Sequence, residues 1–189
     1  MAWVDILKEN NSLKNITDEL DKDINRLEVI TDRFSKIGSK TKLEKRNLFD
    51  LIENTIFYLK NRLSKKIKIS INSSNKEIVI PINKVLFQWV IENICKNSVD
   101  AMDGVGIIEI NIIENKKNIE INIIDSGKGI QKNDFKAIFK PGFTTKKRGW
   151  GLGLSLSKRI IEDYHFGKIY IKSSVLNKGT ILNILLQKN

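Results

Sequence analysis

The sequence predicts an α/β or α+β chain in which a helical hairpin precedes a unit with a sheet. Apolar residues recur at every third or fourth position over residues 13–37, which indicates helix. Further along, isoleucines alternate with polar residues at 108–112 and 119–123, which is typical of half-buried strands. Helical periodicity returns between the strands, so both kinds of element contribute to one unit.

The N-terminal segment is predicted to form two helices. Residues 2–7 resemble the end of one helix, 10–12 the turn, and 13–37 a second helix whose apolar seam is close to the heptad period. Residues 38–40, Gly-Ser-Lys, end it. A hairpin with one apolar face cannot bury that face alone, so we expect it to pair with a second copy or with the rest of the chain.

The elements that follow can be assigned in order along the chain. They are a helix at 48–63, a strand at 67–71, a short edge strand at 78–81 ended by Pro81, a helix at 83–102, strands at 108–112 and 119–123, a helix at 152–164, and strands at 169–171 and 181–186. Hairpin turns are predicted at 114–118 and 177–179. Residues 132–148 are polar, basic and weakly periodic, which predicts a long loop, and such loops are often lids.

Bulk composition indicates a globular protein. Of the 189 residues, 41% are hydrophobic and 29% charged, and no apolar run approaches the ~18 residues of a membrane span. The net charge of +11 comes from lysines scattered over the whole chain without an aromatic platform, so we expect a solvated basic surface and no nucleic-acid binding. The single cysteine, Cys95, excludes an internal disulfide, suits the cytosol and is predicted to be buried.

A first candidate site is a polar stripe on the helix predicted at 83–102. Asn93 and Asn97 are four positions apart and Asp100 follows one turn later, so the three share one helix face. Mg²⁺ takes oxygen ligands of this kind and keeps several waters, which lets it join protein to phosphate. The alternative is a solvent-facing stripe in an asparagine-rich protein.

A second candidate site follows the strand predicted at 119–123. Asp125 ends this apolar run, and its carboxylate can accept a hydrogen bond from an exocyclic amine. Gly127 and Gly129 let the backbone approach a flat ring. The alternative is an ordinary Asp-Gly turn.

A third candidate site is the glycine run before the helix predicted at 152–164. Gly149, Gly151 and Gly153 alternate there, and small residues at a helix N-terminus expose N–H groups to phosphate. The segment is neither a Walker A loop, since no Gly-Lys-Ser/Thr follows, nor a dinucleotide fingerprint, which needs a preceding strand and another spacing. The alternative is a flexible loop.

Together these segments resemble, in order and spacing, the GHKL ATP-binding superfamily and, within it, the catalytic domain of sensor histidine kinases. Residues 93–101 resemble its N box, 125–130 its G1 box, 138–146 its F box, 149–154 its G2 box, and Gly179 and Thr180 its last glycine–threonine motif. The helix at 26–38 resembles the second helix of a dimerisation and histidine-phosphotransfer domain.

The resemblance implies a fold and a division of the chain. Residues 48–189 would form a catalytic ATP-binding domain, a two-layer α/β sandwich of the GHKL (Bergerat) type with a mixed sheet and helices on one face. Residues 1–47 would form a dimerisation and phosphotransfer hairpin that is truncated at its start.

The resemblance also implies roles for individual residues. Asn97 would be the Mg²⁺ ligand, with Asn93 and Lys96 beside it as catalytic residues and Asp100 lining the metal and phosphates. Asp125 would bind the adenine amino group. Residues 132–150 would form the ATP lid. Trp150 is large for the middle of the G2 box, so it would either anchor this lid on the core or be a half-exposed aromatic residue. The other predicted contacts to ATP are Ile130, Gly127 and Gly129 around the base, Phe139, Thr144, Thr145 and Lys146 in the F box, Gly149, Gly151, Leu152, Gly153 and Leu154 at the phosphates, and Thr180 under the base.

The implied reaction is transfer of the ATP γ-phosphoryl group to a histidine of the dimerisation hairpin. The chain's only histidine, His165, lies after the G2 box and matches a structural position, so the acceptor histidine is absent. We therefore expect a chain cut just downstream of the acceptor, or a natural variant without one. Either chain would bind ATP with Mg²⁺ and would not phosphorylate itself.

Two rival functions stay open at this stage. One is a GHKL ATP hydrolase, which would need a glutamate where this chain has Asn93; Glu92 is adjacent but turned about 100° around the helix. The other is a non-catalytic nucleotide-sensing or dimerisation module. The partners that the kinase resemblance implies are ATP and ADP, the acceptor histidine of the full-length protein, a cognate response regulator and a second copy through the hairpin. The implied location of this portion is cytoplasmic, with membrane anchoring of the full-length protein left open.

Overall fold

The computed structural model describes residues 42–146 and 149–188, together with Thr17, Leu20, Asp21 and Ile24. The chain divides into two compact units, Met1–Thr41 and Lys42–Asn189. The four described residues of the first unit are helical. The remainder of the predicted hairpin lies outside the described residues, and the predicted division at 47 stays a prediction.

The second unit contains seven strands, three α-helices, two 3₁₀ turns and a π-helical turn in its described part. In chain order they are β1 (Glu44–Asn47), α1 (Leu48–Lys60), β2 (Ile67–Ser73), β3 (Val79–Ile82), α2 (Lys84–Ala101), β4 (Gly106–Glu114), β5 (Asn118–Asp125), 3₁₀ turns (Lys132–Asp134 and Ala137–Phe139), α3 (Gly153–Arg159), a π-helical turn (Ile160–Tyr164), β6 (Lys168–Val175) and β7 (Gly179–Gln187).

The main sheet is mixed and has the strand order β2-β4-β5-β7-β6. Strand β2 pairs with β4 in parallel, and the other three pairs are antiparallel. The parallel pair is separated in sequence by β3 and α2, the long connection that such a pair requires. Strands β1 and β3 form a separate two-stranded ladder.

One face of the main sheet carries the core. The isoleucines of β4 and β5 that alternate with polar residues are buried, including Ile110 and Ile121. Helices α1 and α2 pack on this side through their own apolar faces. The opposite face presents polar residues such as Asn72 and Asn111, whose side chains hydrogen-bond at 2.9 Å. The predicted two-layer sandwich with helices on one face is confirmed.

Several element boundaries differ from the prediction. Helix α1 ends at Lys60 rather than at 63, and the strand expected to stop at Pro81 continues through it to Ile82. Proline fits there because β3 pairs with only one neighbour, so its missing N–H can face away from the ladder. The strand β1 was not predicted.

The long loop predicted at 132–148 begins with ordered structure. Its first eight residues contain the two 3₁₀ turns, and Ile138 and Phe139 are buried. The prediction of loop throughout 132–148 is therefore wrong for the segment up to Phe139. Among the described residues, no helix is long and apolar enough to span a bilayer.

Candidate functional site

Helix α2 presents one face to the core and another face to the candidate site. Its N-cap, Asn83, accepts a hydrogen bond from the Leu86 N–H, which starts the helix after β3. Phe87, Ile91 and their neighbours on one face are buried in the core. Asn93, Asn97 and Asp100 follow one another along another face, as the sequence predicts.

Lys146, from the predicted lid, contacts the C-terminal end of this stripe. Lys146 Nζ lies 2.9 Å from Asn97 Oδ1 and 2.5 Å from Asp100 Oδ2. An amide oxygen and a carboxylate oxygen thus already hold one cationic group between them. The two oxygens are also hard donors of the kind that Mg²⁺ prefers.

The donor set fits Mg²⁺ only with help from a ligand. In the part of the chain that the structure describes, no group of three or more His, Cys, Asp or Glu side chains converges on a point. Mg²⁺ usually binds through one or two protein oxygens together with substrate phosphates and waters. Asn97 and Asp100 match that pattern and do not match an all-protein metal cage.

The upper end of the stripe meets helix α3. Asn93 Nδ2 donates a 2.9 Å hydrogen bond to Ser157 Oγ, and Ser157 is fully buried. A Cβ placed on Gly153 would lie 3.0 Å from Asn93 Cγ and Nδ2, which is closer than real Cβ contacts normally are. Gly153 is therefore needed so that α3 can approach α2, and Asn93 serves as a link between the two helices.

Asp125 lies at the end of β5, against the buried side of α2. Its Oδ1 accepts a 2.9 Å hydrogen bond from the Gly127 N–H, and its Oδ2 accepts one of 3.1 Å from Ser98 Oγ. The Thr180 backbone also donates to it. Burial raises the pKa of the Asp125 carboxyl above its usual value, although the hydrogen bonds from Gly127, Ser98 and Thr180 oppose that rise.

The two glycines after Asp125 are required by close backbone approaches. A Cβ on Gly127 would lie 2.8 Å from Ala101 Cβ, because the loop is pinned to the end of α2 by a 2.9 Å bond from the Lys128 N–H to the Ala101 carbonyl. Gly129 has a φ of +73° and lies against the Val175 backbone. The first turn after β5 is thereby held between α2 and β6.

A backbone hydrogen bond bridges the described residues on either side of the predicted lid tip. The Gly142 N–H donates a 3.1 Å hydrogen bond to the Gly151 carbonyl, and both glycines have positive φ, of +83° and +63°. Inside this neck, Thr144 Oγ1 accepts a 3.1 Å bond from the Lys146 N–H. That turn directs the Lys146 side chain towards α2.

The other residues predicted to contact ATP range from buried to exposed. Phe139 is buried, with Lys158 Nζ 5.7 Å from its ring centre. Thr145 and Gly149 are exposed, and Ile130, Leu152 and Leu154 are half-buried. The Trp150 side chain is 48% exposed, which does not fit the predicted anchoring of the lid on the core.

Lys96 forms an ion pair with a residue of its own helix. Its Nζ lies 3.7 Å from Glu92 Oε2, one turn back along α2. Within the described residues, it takes no part in the hydrogen bonds that join Asn97, Asp100 and Lys146. Its predicted place beside the metal and phosphates stays a prediction.

His165 is a structural histidine by its contacts. It is buried, its Nδ1 lies 2.9 Å from the Ile160 carbonyl and its Nε2 accepts a 3.1 Å hydrogen bond from the Asn83 N–H. Nδ1 therefore carries the proton. Burial lowers the pKa of the imidazole, and with both nitrogens engaged it offers no free nucleophile.

Three serines belong to the site although the sequence analysis did not identify them. Ser98 bonds Asp125, Ser157 bonds Asn93, and Ser174 bonds the Ile130 N–H at 2.8 Å. Their partners are distant in sequence. The one local indication in the sequence was that Ser98, next to Asn97, falls on the buried face of the helix.

Comparison with known proteins adds a family match. Residues 82–189 match the model of the "Histidine kinase-, DNA gyrase B-, and HSP90-like ATPase" family. Sporulation kinase D of Bacillus subtilis (strain 168) is 30% identical over 172 residues, covering 88% of this chain and 33% of that protein. Sporulation kinase C of the same strain is 34% identical over 94 residues, covering 50% and 22%. The chain thus spans a third or less of these curated relatives.

Solved structures match as well. The nucleotide-free catalytic domain of histidine kinase ThkA superposes with a TM-score of 0.71 at 28% identity, covering 78% of this chain and 96% of that one. Histidine kinase ThkA in complex with the response regulator protein TrrA gives a TM-score of 0.77 at 22% identity, covering 100% and 56%. The second match concerns the fold alone.

Proposed function

Because this chain belongs to the family of histidine kinase-, DNA gyrase B- and HSP90-like ATPases, we propose that it contains the ATP-binding catalytic domain of a sensor histidine kinase. One observation carries the proposal. Two consecutive residues of α2 take part in two polar clusters that suit the two halves of a nucleotide: Asn97, with Asp100, bonds the Lys146 ammonium, and Ser98 bonds the half-buried carboxylate of Asp125.

The purine half of the proposed site is centred on Asp125. An ionised carboxylate only accepts hydrogen bonds, so it suits the exocyclic amine of adenine. Ser98 and the Gly127 N–H fix its orientation, while Gly127 and Gly129 allow the turn after β5 to pack closely against Ala101 and Val175. Preorganised polar groups of this kind give a pocket its specificity.

The phosphate half is proposed to lie between α2 and the lid. Asn97 and Asp100 would hold Mg²⁺, which, when bound, neutralises charge on the β- and γ-phosphates. Lys146 would then give up its contacts with the two side chains. Since phosphoryl transfer depends mainly on positioning and charge neutralisation, no covalent role is needed for any residue of this chain.

Transfer is favoured over hydrolysis by the state of Asn93. An amide cannot take a proton from water, and the Asn93 amide is already bonded to Ser157. Glu92, the neighbouring carboxylate, is engaged with Lys96. Water would therefore lack a positioned general base, which argues against the hydrolase alternative.

The acceptor and partners are part of the proposal. His165 has both ring nitrogens engaged, so the acceptor histidine is proposed to lie on a dimerisation hairpin outside these 189 residues. A second copy of the chain and a cognate response regulator are proposed as partners, the latter because histidine kinase ThkA, which has a similar fold, was solved in complex with the response regulator protein TrrA. A cytoplasmic location for this portion is proposed because its cysteine, Cys95, is free and buried.

The first test is calorimetric titration with ATP and ADP, with and without Mg²⁺. We expect Mg²⁺-dependent binding of both nucleotides, and Asn97→Ala should remove the Mg²⁺ dependence. Asn54→Ala is the matched control, because Asn54 is an exposed helical asparagine in α1. Absence of nucleotide binding at millimolar concentration would refute the proposal.

The second test separates the kinase from a silent module. Labelled ATP is incubated with this chain and a separate histidine-bearing hairpin from a related kinase. Phosphate transfer to that hairpin supports the kinase assignment. Nucleotide binding without transfer to hairpins from several relatives would favour the nucleotide-sensing alternative.

A further inference from the structure

Three polar side chains lie side by side across the end of the main sheet. In the strand register, Asp125 of β5 faces Thr180 of β7, and Thr180 faces Ser174 of β6. Directly opposed residues of antiparallel strands project to the same face. Thr180 is buried, with 8% exposure, and its hydroxyl oxygen lies 2.9 Å from Ser174 Oγ.

A β-bulge selects which serine joins this row. The pairing of β6 with β7 shifts by one residue between Ile171 and Ser173. If Lys172 were paired in the register of Ile171 with Leu182, Ser173 would face Thr180; because Lys172 is an extra residue, Ser174 faces it instead, and Ser173 is exposed. Bulges commonly re-aim side chains beside functional sites.

The Ser174 hydroxyl has one proton and three neighbours. Its Oγ accepts from the Ile130 N–H at 2.8 Å, and it lies 3.0 Å from the Gly179 carbonyl and 2.9 Å from Thr180 Oγ1. A carbonyl oxygen only accepts, so the Ser174 proton must point to Gly179. The contact with Thr180 is then a hydrogen bond only if Thr180 donates its own proton to Ser174.

The proton of Ser98 is committed in a similar way. Its hydroxyl donates to Asp125 Oδ2 at 3.1 Å, since an ionised carboxylate has no proton to give. The hydroxyl protons on both sides of Asp125 therefore point to internal acceptors. Thr180 and Asp125 can therefore only accept hydrogen bonds from a ligand.

We propose that Ser174 is a specificity-determining positioning residue that makes this site select 6-amino purines over 6-oxo purines. The inference rests on the proposed nucleotide site. The 6-amino group of adenine donates hydrogen bonds, whereas the 6-oxo group of hypoxanthine or guanine only accepts. By taking the Thr180 proton, Ser174 removes a neighbouring hydroxyl that could turn and donate to a 6-oxo group.

The test compares affinities for ADP and inosine diphosphate, which differ at the 6-position, by competition against a fluorescent adenine nucleotide. In Ser174→Ala the Thr180 proton is free to rotate towards the base. We expect inosine diphosphate to bind more tightly, ADP affinity to change at most about threefold, and the ADP preference to fall about tenfold, which is the value of one hydrogen bond. Ser173→Ala, in the same strand, is the matched control and should leave the preference unchanged.

A double variant separates the proposed role of Ser174 from a purely structural one. If Ser174 acts through the Thr180 proton, Ser174→Ala made in a Thr180→Val chain should not alter the preference. If instead Ser174 merely supports the Ile130 loop, its removal weakens both nucleotides by the same factor and the ratio stays constant, which overturns the inference. Failure of the parent chain to bind either nucleotide overturns the proposed function as well, whereas ADP binding with an unchanged ratio in Ser174→Ala overturns only the role of Ser174.

Discussion

The ammonium of Lys146 lies 2.9 Å from the amide oxygen of Asn97, which joins the lid to helix α2 across 49 positions of sequence. The same ammonium is 2.5 Å from Asp100 Oδ2. If the two oxygens hold Mg²⁺ as proposed, the lysine and the metal would compete for one place. The position of this loop and the proposed metal site would then be coupled.

Replacing Lys146 by glutamine should strengthen Mg²⁺ binding in the presence of ADP. The ion pair is partly exposed, and such pairs contribute at most about 1 kcal/mol, so we expect a rise of up to about fivefold. Titration of Mg²⁺ into the ADP complex by calorimetry measures it. Lys140→Gln, an exposed lid lysine, is the control, and equal Mg²⁺ affinity in the two variants would contradict the competition.

Asp125→Asn should separate adenine binding from folding. The carboxylate is the proposed acceptor for the base, so ADP affinity should fall at least about tenfold. Folding should be affected little, because burial raises the pKa of Asp125 and therefore already disfavours its charged form. Calorimetry and thermal unfolding of the same variant give the two quantities. Unchanged ADP affinity would remove Asp125 from the site.

The raised pKa of Asp125 also fixes the sign of a pH effect. Protonation is easier in the folded than in the unfolded chain, so the Asp125 contribution favours folding at low pH and is lost as pH rises through its folded pKa. ADP binding should move in the opposite direction, since it needs the charged form. The difference between the parent chain and Asp125→Asn, measured from pH 4 to 7, isolates both trends. Parallel curves would argue against titration of this carboxyl.

His165 should make the domain less stable in acid. Its pKa is lowered by burial, so the unfolded chain binds the proton more readily. Its contribution to stability is complete above the unfolded pKa of about 6.5 and is lost as pH falls through the folded pKa. Denaturant unfolding at several pH values tests this. The acid-dependent loss should be smaller in His165→Gln, and an equal loss in that variant would place its cause elsewhere.

Gly153→Ala should destabilise the contact between α2 and α3. The added Cβ would overlap the Asn93 side chain and displace it from Ser157, an overpacking that typically costs about 1–3 kcal/mol. Gly149→Ala is the control from the same glycine run, because its Cβ would have its nearest neighbour, Thr144 Oγ1, at 3.3 Å. Denaturant unfolding measures both. A similar small effect in the two variants would show that the Asn93 contact can relax.

The sequence predicted the sheet well where burial is periodic. In β4 and β5, isoleucine alternates with polar residues because one face is covered by helices, so the pattern directly reflects the packing. Strand β1, with the sequence Glu-Lys-Arg-Asn, has no such pattern. It forms because β3 offers it a partner, and that information lies more than thirty residues away, as the pairing of Asn47 with Val79 shows.

The residues of the candidate site were predictable only where they follow a local sequence pattern. Asn93, Asn97 and Asp100 follow from helical spacing, and Asp125 follows from its place after an apolar strand. The serines do not, because a serine becomes part of a site only through its partner, and Ser98 and Asp125 are 27 positions apart. Lys146 was identified through its motif, yet its contact with Asn97 depends on the turn at Thr144.

The irregularity in β6 has a consequence for how this strand tolerates changes in length. Lys172 is the extra residue there, and its side chain points away to Glu120 at 3.0 Å. Deletion of Lys172 would remove the shift in pairing between β6 and β7 and still leave Ser174 opposite Thr180. Variation in the number of residues can thus accumulate on the outer surface of the molecule while the hydroxyls beside the carboxylate keep their alignment.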